Sequence, residues 1–123
     1  MNMPSNVQEM LMSIGQVAAE LPTTIDGYRE FVTVYRFETR KVLGFEAQYP
    51  YLMGYSTAYR LLKFRVDEAV IEEDVDVCNE DLIGLQCIVV ATEAEATSVL
   101  DMWRVDPSIL RSAKETDVPV WPQ

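Results

Sequence analysis

Apolar residues recur at Val7, Met10, Leu11, Ile14, Val17, Ala18 and Leu21, in steps of three and four, with Gln8, Glu9, Gln16 and Glu20 on the other side. That spacing is one buried stripe on a helix. Ser5 with Gln8 and Asn6 with Glu9 offer overlapping capping boxes, and Pro22 disfavours helical geometry at Leu21. The pattern therefore predicts an amphipathic helix from Ser5 to Leu21. Its Met-rich stripe is expected to pack on the rest of the chain, because an isolated helix of this length is marginal in water.

The period then changes. After the turn signal Asp26-Gly27, residues 30–40 alternate, with Phe31, Thr33, Tyr35 and Phe37 on one face and Val32, Val34, Arg36, Glu38 and Arg40 on the other. This predicts a strand. Residues 41–49 are expected to continue the sheet after a bend near Gly44, and Tyr49-Pro50 to enforce extended geometry afterwards. Over residues 57–70, Tyr59, Leu62, Val66, Ala69 and Val70 share a helical face and Ser56 can cap it. A helix is the first reading there and a strand over 57–66 the competing one. Leu85 to Thr92, rich in branched apolar residues, predicts a central strand. Residues 93–103 fit either a helix with Ala96, Val99, Leu100 and Trp103 on one face or the return strand of a hairpin. Asp106-Pro107 can open a short helix through Ala113, and Pro119 with Pro122 makes the last residues an extended tail. The expected fold is α+β in a single domain over residues 1–123: an N-terminal amphipathic helix, a small antiparallel sheet or OB-like barrel, and one or two further short helices.

Composition narrows the chemistry. The chain has 123 residues, 49% of them hydrophobic, enough to build a core without staples. It contains no histidine, which removes imidazole bases and His-ligated metals. Its two cysteines, Cys78 and Cys87, are expected to be reduced, as in a cytoplasmic protein. No Lys or Arg precedes Arg29, so no export leader is expected. The longest wholly apolar run, Cys87 to Ala91, is far short of the roughly 20 residues that cross a bilayer. Gly54-Tyr55-Ser56-Thr57-Ala58 approaches a nucleophile elbow but lacks the second glycine and any histidine. The calcium-loop-like start at Asp74 meets Cys78 and Asn79 where a ligand and a glycine belong. No catalytic residue, metal ligand or cofactor is assigned, and the protein is expected not to be an enzyme.

Charge is the strongest signal. The net charge is −10, but residues 21–65 carry +3, whereas residues 66–103 hold eleven acids and no Lys or Arg. The run over 71–83 reads as an exposed connection rather than a catalytic carboxylate pair. The first functional expectation is a non-catalytic interaction protein, of the inhibitor, immunity or DNA-mimic type. Glu72, Glu73, Asp74, Asp76, Glu80 and Asp81 would dock on a basic protein surface, such as that of a nucleic-acid-binding protein.

A second constellation is aromatic and basic, because all ten Tyr and Phe lie between Tyr28 and Phe64 with six of the ten Lys and Arg. The alternative expectation is single-stranded nucleic-acid binding through Tyr35, Phe37, Arg40, Lys41, Arg60 and Lys63, with bases on aromatic rings and cations along phosphates. The plainer account makes the aromatic face core and leaves the arginines on a solvated face. A third expectation is a structural subunit that uses the Met-rich helix or the tail around Trp121. The stretch Tyr59-Arg-Leu-Leu-Lys-Phe64, an acidic spacer, and Glu80-Asp-Leu-Ile-Gly-Leu-Gln-Cys-Ile-Val-Val90 resembles phage single-stranded-DNA-binding proteins with OB-type barrels. That resemblance implies a short helix, an acidic link, a Leu-Ile-Gly turn into a barrel strand, and DNA on the barrel's open face.

Overall fold

The computed structural model describes residues 3–23, 26–69 and 82–112. In chain order these form α1 (Ser5–Ser13), β1 (Gln16–Leu21), β2 (Tyr28–Glu38), a 3-10 turn (Thr39–Lys41), α2 (Phe45–Gln48) and a 3-10 turn (Pro50–Leu52). There follow β3 (Thr57–Asp67), β4 (Leu82–Val90), α3 (Glu93–Met102) and a last 3-10 turn (Pro107–Ile109). The strands make one antiparallel sheet in the order β1-β2-β3-β4. The fold is α+β, and the sheet is open: among the described residues β1 and β4 do not pair to close a barrel.

Register explains the layers. Val17, Val34, Leu61 and Ile88 stand opposite one another across the four strands. With Ala19, Leu21, Val32, Tyr59 and Val90 they form the sheet side of the main core. Over it lie Val7 and Leu11 of α1, Ala96, Val99 and Leu100 of α3, and Trp103, Val105 and Leu110 after it. The opposite sheet face holds two further buried clusters: Phe31, Leu62, Phe64 and Val66, and Phe45, Leu52, Ala58, Val89 and Ala91. Each fully buried Leu or Phe contributes roughly 1.5–3 kcal/mol of transfer free energy.

Several sequence expectations are corrected. The first helix stops at Ser13 and residues 16–21 are strand β1. Val17, Ala19 and Leu21 fit a period of two as well as a helical stripe, and Gly15 decides between them. It takes φ +87°, its carbonyl accepts from Arg36 N–H at 2.7 Å, and a Cβ there would meet the Arg36 carbonyl at 3.3 Å. The expected capping boxes do not form, since Pro4 occupies the cap position without a side-chain bond. Gln8 Nε2 donates instead to the Met3 carbonyl and to Glu93 Oε1 at 2.6 Å.

Residues 41–49 do not continue the sheet. Gly44, at φ +73°, turns the chain into the short helix α2. Residues 57–67 are strand β3, not a helix. Tyr59 and Leu61 are buried on one sheet face and Ala58, Leu62, Phe64 and Val66 on the other. Burial on both faces erases the alternation that would have marked a strand and leaves spacings that also fit a helix. Among the described residues β4 is an edge strand rather than a central one, and Leu82-Ile83-Gly84 lies inside it. Over 93–103 the helical alternative is the one observed, with the expected Ala96, Val99, Leu100 and Trp103 buried.

The helix expected from Asp106 to Ala113 is only the turn Pro107–Ile109. Arg111 then exchanges two backbone hydrogen bonds with Ala18 on the outer edge of β1, at 2.8 and 2.9 Å. The tail beyond Ser112, with Trp121, lies outside the described residues, as does Cys78 in the β3–β4 connection.

Candidate functional site

Strand alternation places Tyr35 and Phe37 on one face of β2, and antiparallel pairing sets Arg60 of β3 directly opposite Tyr35. The excursion between β2 and β3 brings Val42, Gln48 and Tyr49 over the same face. These six residues line an open groove of about 500 Å³. Its floor is tied together by aromatic contacts. Phe37 meets Phe45 edge-on at 5.9 Å between centroids, Phe45 meets Tyr49 at 5.3 Å, and Tyr49 meets Tyr51 at 6.2 Å. Tyr51 anchors the excursion to β4 by donating its hydroxyl to the Val89 carbonyl at 3.0 Å.

Three of the six residues proposed for nucleic acid therefore converge: Tyr35, Phe37 and Arg60. The other three do not. Arg40 and Lys41 lie beyond the end of β2 and pair with Glu38 at 3.2 and 3.3 Å. Lys63 pairs across the sheet with Val32 and Gln86, which places it on the opposite face. The six make no continuous cationic track, and the sheet face behind them is not a solvated basic face either, because Val32 and Val34 bury there in the main core. Tyr49 and Gln48 were not visible as site residues in the sequence. They reach the groove only because Gly44 and Pro50 fold residues 45–52 back over the sheet.

Electrostatics in the groove are simple. Burial pushes the Tyr35 hydroxyl up to about 12, with the Arg60 charge pulling it down. Among the described residues the ion pairs hold Glu20, by Arg29, and Glu38, by Arg40 and Lys41; Arg60 is in none of them.

The acids proposed for docking, Glu72, Glu73, Asp74, Asp76, Glu80 and Asp81, lie outside the described residues. Asp67 and Glu68 lead into that connection from the end of β3, whereas Glu93 and Glu95 open α3 at the other end of β4. Among the described residues, these four carboxylates are thus divided between two ends of the sheet. β4, which follows the connection, exposes Ile83, Gly84, Leu85, Gln86 and Cys87. Among the described residues no three acidic or cysteine side chains converge on a metal position, and no helix is long and apolar enough to cross a membrane.

Comparison with protein-family models, curated proteins and solved structures gives no match.

Proposed function

We propose that the protein is a non-catalytic interaction protein, of the inhibitor, immunity or DNA-mimic type, that docks on a basic partner protein. The contact is the acid-rich connection carrying Glu72, Glu73, Asp74, Asp76, Glu80 and Asp81, together with the edge of β4 that follows it. The observation behind this reading is the openness of that edge. From Leu82 to Val90 the strand carries no charge and no proline, its residues Ile83 to Cys87 are exposed, and among the described residues it pairs only with β3. Gly84 has no side chain, so its exposure is exposure of the backbone itself. Such an edge offers donors and acceptors to an incoming strand. Acids immediately before it would steer a basic partner and select against an acidic one.

The test uses two variants of the whole chain. One neutralises the connection (Glu72→Gln, Glu73→Gln, Asp74→Asn, Asp76→Asn, Glu80→Gln, Asp81→Asn), and the other places a charge on the edge (Leu85→Lys). Association is measured against a basic protein retained from nuclease-treated host lysate and then purified. The expected result is an association rate that falls with salt and drops by about tenfold or more in the six-acid variant, with faster dissociation in Leu85→Lys. An unchanged rate after neutralising the six acids overturns the assignment.

A further inference from the structure

We propose that the groove between β2, β3 and α2 is a binding site for a small planar aromatic ring carrying a single anionic group. The juxtaposition is three aromatic side chains, Tyr35, Phe37 and Tyr49, around one partly buried guanidinium, Arg60, that has no acid partner among the described residues.

The volume of about 500 Å³ lies within the range of small-molecule sites, which are mostly apolar with a few convergent polar groups. The lining has that composition. Val42 and the three aromatic residues supply apolar wall, while Gln48 supplies a neutral hydrogen-bonding group. Arg60 supplies the charge. A partly buried cation gains most from an anion that shares its partial desolvation, and guanidinium matches carboxylate and phosphate in two parallel hydrogen bonds.

The number of charges sets the class of ligand. Arg40 and Lys41 are engaged by Glu38, and Lys63 is on the other sheet face, so the groove presents one cation. One ring and one anion fit that arrangement, whereas a run of phosphates would need cations in series. The chain's net charge of −10 opposes approach of any anion, so affinity is expected to be modest.

The site is tested by NMR titration of the full chain with phenyl phosphate, with phenol and inorganic phosphate as half-ligands. An oligothymidylate serves to distinguish a free aromatic phosphate from a nucleotide of a strand. Phenyl phosphate is expected to saturate shifts of the Tyr35, Phe37 and Tyr49 rings and of the Arg60 Nε–H. Each half-ligand should bind about tenfold or more weakly, and Arg60→Gln should lose about the same factor. Tighter, Arg60-dependent binding of the oligonucleotide at the same resonances assigns the anion to a nucleic-acid strand; equal or weaker binding assigns it to a free small molecule. Absence of saturation by about 10 mM phenyl phosphate, or binding unchanged in a natively folded Arg60→Gln protein, overturns the proposal.

Discussion

Gly84 of β4 lies against the guanidinium of Arg65 on β3: a Cβ on Gly84 would stand 3.2 Å from Arg65 Nη2, and the glycine has φ +65°. Arg65 pairs with Ile83 and Lys63 with Gln86, so Gly84 and Leu85 together oppose Phe64. Two residues against one, with a left-handed glycine first, make a bulge that bends the open edge. Gly84→Ala is expected to lower stability by about 1–2 kcal/mol, chiefly through the backbone. Gly27 is the control, at φ +87° with nothing within 4 Å of a built Cβ. The excess of Gly84→Ala over Gly27→Ala in urea denaturation measures the Arg65 contact. Because the end of Arg65 can swing away, that excess should be only a few tenths of a kcal/mol. A larger excess that Arg65→Ala fails to relieve would contradict this account.

On the far edge of the sheet, Arg29 binds both carboxylate oxygens of Glu20 while its guanidinium carbon lies 5.4 Å from the Phe31 ring centroid. The hydrogen bond from Arg29 holds the Glu20 carboxyl below its ordinary 4.5, the Arg29 charge adds to this, and partial burial opposes it. A carboxylate pKa depressed by folding contributes stability that is complete above the unfolded value and disappears as pH falls through the folded one. Glu20→Gln should therefore cost up to about 1 kcal/mol at neutral pH, the range of partly exposed ion pairs. Denaturation curves of the two proteins should converge in acid. Arg29→Ala should cost more than Glu20→Gln, since it also removes the contact with Phe31.

What the sequence made legible follows from how each residue is buried. β2 could be read because its polar and apolar positions differ between faces near its end, where Arg36 and Glu38 follow Val34. β3 could not, because Leu61 and Leu62 are adjacent and both fully buried, on opposite faces. The break after α1 was carried by one residue, Gly15, whose φ is a property of the turn and not of the hydrophobic pattern. In the groove, Tyr35 and Phe37 followed from alternation alone. Placing Arg60 beside them needed strand pairing, and placing Tyr49 needed the path of the β2–β3 excursion, neither of which is a local signal.

The start of α3 is capped by the Thr92 side chain. Thr92 Oγ1 accepts from Glu95 N–H at 3.2 Å and donates to Glu95 Oε1 at 3.0 Å. The helix holds Leu100 over the sheet at full burial, with Trp103 buried just after it. Thr92→Ala should cost about 1 kcal/mol and Thr92→Ser much less, because serine keeps the accepting oxygen. Thermal unfolding compares the three proteins directly, and equal losses for the two variants would show that the methyl group rather than the hydroxyl matters.

Tyr35 provides a titration within the groove. Burial raises its hydroxyl to about 12 and Arg60 partly offsets that rise. A phenol whose pKa is raised by folding stabilises the native state fully below its ordinary value of 10, and that stability is lost as pH climbs through the folded value. Phenolate absorbance should therefore show Tyr35 ionising at about 12, late like Tyr51, whose hydroxyl burial also raises, and Tyr35→Phe should remove the step at about 12. Arg60→Gln should move it still higher, because the cation that favours the phenolate is gone. A late step unmoved by Arg60→Gln would mean that Arg60 does not act on the Tyr35 hydroxyl, and would separate the aromatic wall of the groove from its charge.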